Sequence, residues 1–116
     1  CRLLDTREAA GPLGGPAIGA GARRLLPLNG SCGIPPDARS ISANVTVVAA
    51  GAAGSFVLWA GDGDLPGTSN VSFAAGRTRA NNAVIELARD GTRTIQVRNG
   101  AAAAAHLILD VNGYFR

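Results

Sequence analysis

Cysteine, histidine and carboxylate side chains could carry chemistry in this chain, and all of them are scarce. Cys1 and Cys32 are its two cysteines, His106 is its one histidine, and eight carboxylates are spread over 116 residues. Two cysteines and one histidine fall short of the four ligands of a structural zinc site. Two cysteines in an exported protein usually pair, so we expect a Cys1–Cys32 disulfide that stabilises the fold by about 3–4 kcal/mol.

Two other states of the cysteines are open at this stage. An N-terminal cysteine is the residue that carries the lipid of a lipoprotein, and two free thiols are typical of a cytosolic protein. The chain begins at Cys1 rather than at methionine. We therefore expect a processed product or one repeat of a larger protein.

Catalytic arrangements are hard to assemble from these residues. His106 and Asp110 share a face of one predicted strand, but residues four apart on a strand are separated by about 13 Å, too far for the pair of a catalytic triad. The Gly-x-Ser-x-Gly nucleophile motif is absent from the sequence. The carboxylates fall in different predicted elements, so spacing does not define a glycosidase pair. We expect no enzyme activity and no cofactor.

Two short segments are candidate binding sites. Asp62-Gly63-Asp64 resembles the start of a calcium loop, but the other oxygen ligands are missing at the required spacing, which favours a solvated turn. Asp5, Thr6 and Arg7 follow the first predicted strand and could form a polar binding corner, to which Tyr114 would add a ring. The favoured alternative for Asp5 and Arg7 is a structural clamp or Asx turn.

Composition excludes several classes of protein. Hydrophobic residues make up 47% and charged residues 16%, which is incompatible with a disordered chain. Apolar runs stay well below the roughly 20 residues that span a bilayer. All 11 basic residues are arginines, scattered along the chain without stacking aromatics, so a nucleic-acid partner is not expected.

Short alternating segments separated by glycine- and proline-rich turns predict about eight strands. The pattern is that of one antiparallel β-sandwich or jelly-roll-like domain over residues 1–116. The predicted strands are residues 1–6, 22–28, 40–48, 55–60, 70–73, 83–87, 92–97 and 106–111.

The predicted core takes every second residue of most strands. It consists of Ile41, Val45, Val47, Phe56, Leu58, Ile85, Leu87, Ile95, Val97, Leu107, Leu109 and Val111, and Trp59 lies in the most apolar strand and is expected inside.

The remaining segments are predicted as turns and loops. A three-residue turn at 98–100 would join two strands as a hairpin and place the alanine run 101–105 in the second strand. Residues 9–21 are expected to form a loop ordered only by its contacts with the core. Residues 76–82 are predicted as a polar loop, and Asn70, Asn81 and Asn82 are expected to cap backbone groups.

Both ends of the chain carry a family resemblance. The segments CRLLDTR at residues 1–7 and DVNGYF at 110–115 resemble the borders of a repeat-like domain of large secreted bacterial proteins from actinobacteria, acidobacteria and myxobacteria. The segments CGIP at 32–35, NVT at 44–46 and SNVSF at 69–73, together with Ala80-Asn81, fit the same domain. The resemblance implies an extracellular β-domain, often in tandem or attached to enzymes.

We therefore expect a non-catalytic structural or adhesive module at the bacterial surface or outside the cell. Its partners would be further copies of itself or other surface proteins, met through open strands, and the proposed association could extend into a fibre. The terminal strands at 1–6, 69–73 and 106–116 are the predicted contacts. A carbohydrate-binding module is the alternative.

Overall fold

The chain folds as an antiparallel β-sandwich, which a computed structural model describes for residues 1–28 and 30–116. These residues form eight strands and no helix, and so none that could cross a membrane. The predicted fold class is confirmed, and each predicted strand overlaps an observed one. The strands are β1 (Arg2–Asp5), β2 (Arg23–Pro27), β3 (Ser40–Val48), β4 (Gly54–Ala60), β5 (Val71–Phe73), β6 (Arg79–Glu86), β7 (Thr94–Asn99) and β8 (His106–Phe115).

Two sheets of four strands face each other, in the orders β1–β8–β3–β6 and β2–β7–β4–β5. Neighbouring strands are antiparallel throughout. The connection from β4 to β5 stays within one sheet, whereas each other connection crosses to the opposite sheet. This is the strand arrangement of an eight-stranded jelly roll. It leaves β1 and β6 at the edges of the first sheet and β2 and β5 at the edges of the second.

The core lies between the two sheets and follows the period-two pattern of the strands. In β3, every second residue from Ile41 to Val47 is fully buried, while the residues between them are half-buried on the outer face. All twelve predicted core residues are buried, and all belong to one hydrophobic cluster. Leu4, Leu26 and Leu28 add large side chains to the same cluster.

Trp59 is buried, but it does not belong to the core between the sheets. It lies on the outer face of the second sheet, because Phe56 and Leu58 occupy the inward positions of β4. Its Nε1 donates to the carbonyl of Gly63 at 2.9 Å, and the guanidinium of Arg23 lies 5.4 Å from its ring centroid. Trp59, which was predicted to lie in the core, is therefore buried by the loop after β4 and by Arg23.

The predicted hairpin at residues 98–100 is wrong. β7 pairs with β2 and β4, whereas β8 pairs with β1 and β3, so these two strands lie in different sheets. Asn99 is fully buried at the crossing. Its Nδ2 donates to the carbonyls of Ile18 and Ala103, both at 2.9 Å, and its Oδ1 accepts from the amide of Ala101 at 2.8 Å. The side chain of Asn99 thus hydrogen-bonds to backbone groups on both sides of the connection and holds the alanine run in a non-strand conformation.

The polar segment at residues 76–82 is shorter as a loop than predicted. β6 already begins at Arg79, and Asn81 and Asn82 pair in register with Val45 and Asn44 of β3. Asparagine is unfavourable in isolated strands, but ladder pairing with a buried neighbour overrides that local preference.

Residues 9–21 are held by a specific side chain and not only by contacts with the core. The guanidinium of Arg24 donates to the carbonyls of Gly11, Pro12, Gly14 and Pro16. The segment also doubles back tightly: a Cβ on Gly14 would lie 2.2 Å from the carbonyl oxygen of Ala9, which only glycine avoids.

Candidate functional site

The predicted corner at the end of β1 is a closed arrangement of polar groups around Asp5. This carboxylate is buried. Its Oδ1 accepts from the backbone amide and Nε of Arg7, both at 3.0 Å, and its Oδ2 accepts from a terminal nitrogen of the same guanidinium at 2.9 Å. These hydrogen bonds from Arg7 lower the pKa of Asp5 to about 2. The expected clamp and Asx turn are thus present.

Thr6 and His106 complete this corner. The hydroxyl of Thr6 accepts from the backbone amide of Leu107 at 2.9 Å and also lies 2.9 Å from Nδ1 of His106. Asp110, the other candidate partner of His106, instead accepts from Nε of Arg2 at 2.9 Å. His106 is therefore hydrogen-bonded to Thr6, just after β1, and not to a carboxylate.

Tyr114 does not belong to the Asp5 corner, and that part of the prediction is wrong. Asp5 pairs with Ile108 near the start of β8, whereas Tyr114 lies six residues further and pairs with Ile41. A strand rises about 3.3 Å per residue, which places the tyrosine roughly 20 Å away. Its exposed ring faces the guanidinium of Arg116 at 5.5 Å.

The Asp62-Gly63-Asp64 segment fastens two loops to each other. Oδ2 of Asp62 accepts from the backbone amide of Arg89 at 2.9 Å, which ties the β4–β5 loop to the β6–β7 loop. Over residues 1–28 and 30–116, no three His, Cys, Asp or Glu side chains come together as metal ligands. The first carboxylate thus has a structural partner in the protein.

The predicted disulfide is confirmed, since Cys1 and Cys32 are bonded. It joins the residue before β1 to the connection between β2 and β3. Cys1 also exchanges two backbone hydrogen bonds with Val111 of β8. A disulfide of this kind persists in a non-reducing compartment.

A polar groove separates β5 and β6, the edge strands that lie on the same side of the two sheets. Its volume is about 380 Å³. As predicted, Asn70 caps the backbone here, because its Oδ1 accepts from the amide of Leu58 at 2.7 Å. Nδ2 of Asn81 donates across the groove to the carbonyl of Asn70 at 2.9 Å. The groove is lined by Ser69, Asn70, Val71, Ser72, Arg79, Ala80 and Asn81.

The four edge strands differ in how well they resist pairing with another chain. β1 has four residues and an irregular register, β2 ends in Pro27, and β5 has three residues. β6 has eight residues in unbroken register with β3. Its charges are confined to Arg79 and Glu86 at its two ends, and Val84 in its uncharged middle is 63% exposed. Sequence reasoning missed this edge because its first half read as a loop.

No family model and no curated protein matches this sequence. Among solved structures, the coat protein of Tobacco streak virus matches with 16% sequence identity and a TM-score of 0.45. That match covers 84% of this chain and 82% of the coat protein. At this identity and score it supports no inference about function.

Proposed function

We propose that this domain is a non-catalytic, extracellular structural or adhesive module that associates with copies of itself through the open edge of β6. The observation that carries the proposal is the uncharged middle of that strand, residues 80–85, at a sheet edge. Natural edges are usually blunted by charges, proline, bulges or short length, and an unprotected edge is a template for strand addition. The setting rests on the disulfide and on the resemblance to secreted bacterial repeat domains.

Strand direction permits a head-to-tail fibre. The four strands of the first sheet alternate in direction, so its two edges, β1 and β6, run in opposite directions. β6 of one copy can therefore pair with β1 of the next and keep the sheet antiparallel. Such a head-to-tail contact is heterologous, and it continues along a filament when the rotation between copies does not close a ring. An interface of this kind should bury more than about 1,000 Å² in total.

Two of the predicted contact segments are replaced by β6 in this proposal. Within the predicted segment 106–116, residues 106–111 of β8 lie inside the sheet, between β1 and β3, whereas residues 113–115 pair with β3 on one side. Residues 71–73 form an edge but offer three residues for pairing. The segment at residues 1–6 remains as the receiving edge, although β1, with four residues and an irregular register, offers a shorter ladder than β6.

Analytical ultracentrifugation and electron microscopy of the purified protein test the proposal. We expect wild type to form oligomers that grow with concentration and extend into filaments. Val84→Lys places a charge on the free edge, since this side chain is 63% exposed, and should yield monomers. Leu25→Lys is the matched control: its side chain is 56% exposed on the edge strand of the other sheet, and association should persist.

Circular dichroism must first show that both variants fold as wild type does. A wild type that stays monomeric at high concentration, with no filaments, contradicts the proposal. Equal loss of association in both variants would assign the contact to general surface charge and not to β6.

A carbohydrate-binding module is the second candidate, and the β5–β6 groove favours it. Its lining offers hydroxyl, amide and guanidinium groups, which hydrogen-bond to sugars. It contains no aromatic side chain for stacking, so recognition there would depend on hydrogen bonds. A glycan array decides between the two: saturable binding that Asn81→Ala abolishes supports this function, and no binding supports the structural one.

A further inference from the structure

Three arginine side chains line a cavity of about 350 Å³ at the end of the sandwich where β3 begins and β6 and β8 end. Arg39 immediately precedes β3, and Arg89 and Arg93 belong to the β6–β7 loop. Asp37 is the fourth lining residue. We infer that this cavity, the arginine site, binds a doubly charged oxyanion, a phosphate or sulfate group. It lies outside the edge strands, so it is independent of the proposed association.

The charges around the cavity leave the three guanidiniums available to an anion. Over residues 1–28 and 30–116, the ion pairs within 4.0 Å involve Arg2, Arg7 and Arg116 and none of the three. Arg116 forms an ion pair with Asp37, with a nitrogen–oxygen distance of 3.3 Å.

Two other carboxylates nearby are turned toward backbone amides. Asp62 accepts from the amide of Arg89, and Asp90 accepts from the amide and hydroxyl of Thr92. The hydrogen bonds from Thr92 lower the pKa of Asp90. Both carboxylates keep their negative charge, but their hydrogen-bond partners are neutral groups and not the three guanidiniums.

Arg93 is held in place before any ligand arrives. Its Nε donates to the carbonyl of Pro36, and a terminal nitrogen donates to the carbonyl of Ala88 at 3.4 Å. Its backbone has φ of 53°, a left-handed conformation that costs free energy for a non-glycine residue. These bonds account for two of the five N–H donors of a guanidinium, so others can point to an oxyanion.

The scaffold beneath the site is fixed by backbone hydrogen bonds. The carbonyl of Arg39 accepts from Leu87 at 2.9 Å, and the amide of Ala88 donates to Thr94 at 3.0 Å. Arg39 and the β6–β7 loop are thus tied to the same strand ends. Three arginines line this one cavity, and a guanidinium fork can donate two hydrogen bonds to the oxygens of a phosphate or sulfate group.

NMR titration with inorganic phosphate, and separately with inorganic sulfate, tests the inference at constant ionic strength set by chloride. We expect saturable shifts confined to the amides of residues 36–39 and 87–93 and to the Nε–H of the three arginines. Arg89→Gln should weaken binding roughly five- to tenfold, the effect of losing one charge-assisted hydrogen bond. Arg77→Gln, the same change at an exposed arginine outside the site, should leave the affinity within about twofold.

Arg93→Lys separates geometry from charge. It keeps the positive charge but loses the planar fork, so the affinity should still fall. Non-saturable shifts at every arginine, or equal weakening by Arg89→Gln and Arg77→Gln, would overturn the inference.

The oxyanion could be free or part of a polymer, and a second pair of probes distinguishes these sources. Dextran sulfate is compared with uncharged dextran and with inorganic sulfate at equal sulfate concentration. Tighter binding of the sulfated polymer that Arg89→Gln weakens assigns a polymeric ligand, and equal affinity for both sulfates assigns the free anion. Binding of uncharged dextran at these residues would contradict an oxyanion site.

Discussion

One buried amide directs the chain from one sheet to the other. Asn99 has no exposed surface, and its side chain hydrogen-bonds to backbone groups of Ile18, Ala101 and Ala103. Buried backbone groups without partners cost free energy, so this amide makes an irregular crossing stable. Arg24 has a similar role, because its guanidinium donates hydrogen bonds to several carbonyls of the loop at residues 9–21.

Asn99→Ala should lower the free energy of unfolding by about 2–4 kcal/mol, because it leaves the carbonyl of Ala103 and the amide of Ala101 without partners, whereas the carbonyl of Ile18 keeps the amide of Ala105. Urea unfolding followed by circular dichroism measures this loss. Asn112→Ala is the matched control: Asn112 is exposed, and its amide donates to Asn82 at 3.3 Å. We expect that control to lose less than about 0.5 kcal/mol. Similar losses in both variants would contradict the structural role assigned to Asn99.

Asp5 should make stability depend on pH in the acid range. Arg7 lowers its pKa in the folded protein from 3.8 to about 2, so the folded state binds the proton less readily than the unfolded state. The stabilisation is therefore fully present above about pH 5 and is lost as the pH falls through 3.8 toward 2. In urea titrations, Asp5→Asn should be less stable than wild type at neutral pH, and the difference should shrink below pH 4. A difference that stays constant down to pH 2 would contradict this assignment.

At the scale of strands, side-chain alternation predicted most of the fold. β3 and the inward residues of β7 and β8 could be read from the sequence, because period-two burial leaves a direct trace in residue type. The start of β6 could not, since its asparagines are placed in a strand by pairing with β3 and not by their own preference. The strands that pair with β7 could not be predicted from the sequence either. An Asn-Gly pair such as Asn99-Gly100 is compatible with a hairpin turn and also with a connection that crosses to the other sheet.

The candidate sites follow the same division. The Asp5–Arg7 clamp was readable because its residues are two apart in the sequence and interact locally. The arginine site was not, since it brings together residues 37–39 and 89–93, which only the strand order makes neighbours. The β5–β6 groove was not, because residues 79–81, one of its two walls, were predicted as part of a loop.

Leu109→Ala tests which side chains of β8 point into the core between the sheets. Leu109 is fully buried between the sheets, and truncating such a residue removes apolar contacts and leaves a cavity. The free energy of unfolding should fall by about 2–5 kcal/mol. Val84→Ala, on the exposed face of β6, should cost less than about 1 kcal/mol. A loss below about 1 kcal/mol for Leu109→Ala would mean that β8 faces the other way.

For the molecule as a whole, the jelly-roll order makes β1 depend on distant parts of the chain. β1 is an edge strand of four residues, and β8 is its one neighbour in the sheet. Asp5 and Thr6 hold its end through Arg7 and Leu107, and the disulfide holds its beginning. Because β1 is also the proposed receiving edge of the fibre, the disulfide bears on assembly as well as on stability.

Removing the disulfide should therefore lower stability and loosen β1 first. Cys1 and Cys32 are 31 positions apart, and a crosslink closing such a loop restricts the unfolded chain by about 3–4 kcal/mol. In urea unfolding, the Cys1→Ser/Cys32→Ser variant should lose that amount of stability. Relative to wild type, its hydrogen exchange should rise more at Leu3 and Leu4 than at Val45 in the central strand β3. Reductant should destabilise wild type to the level of the variant and leave the variant unchanged, which controls for the substitutions. Labelling of two thiols in the native protein without reductant would contradict the bridge. If the bridge is present and its loss leaves exchange in β1 unchanged, then Asp5 and Thr6 alone hold that edge, and assembly through β1 should survive reduction.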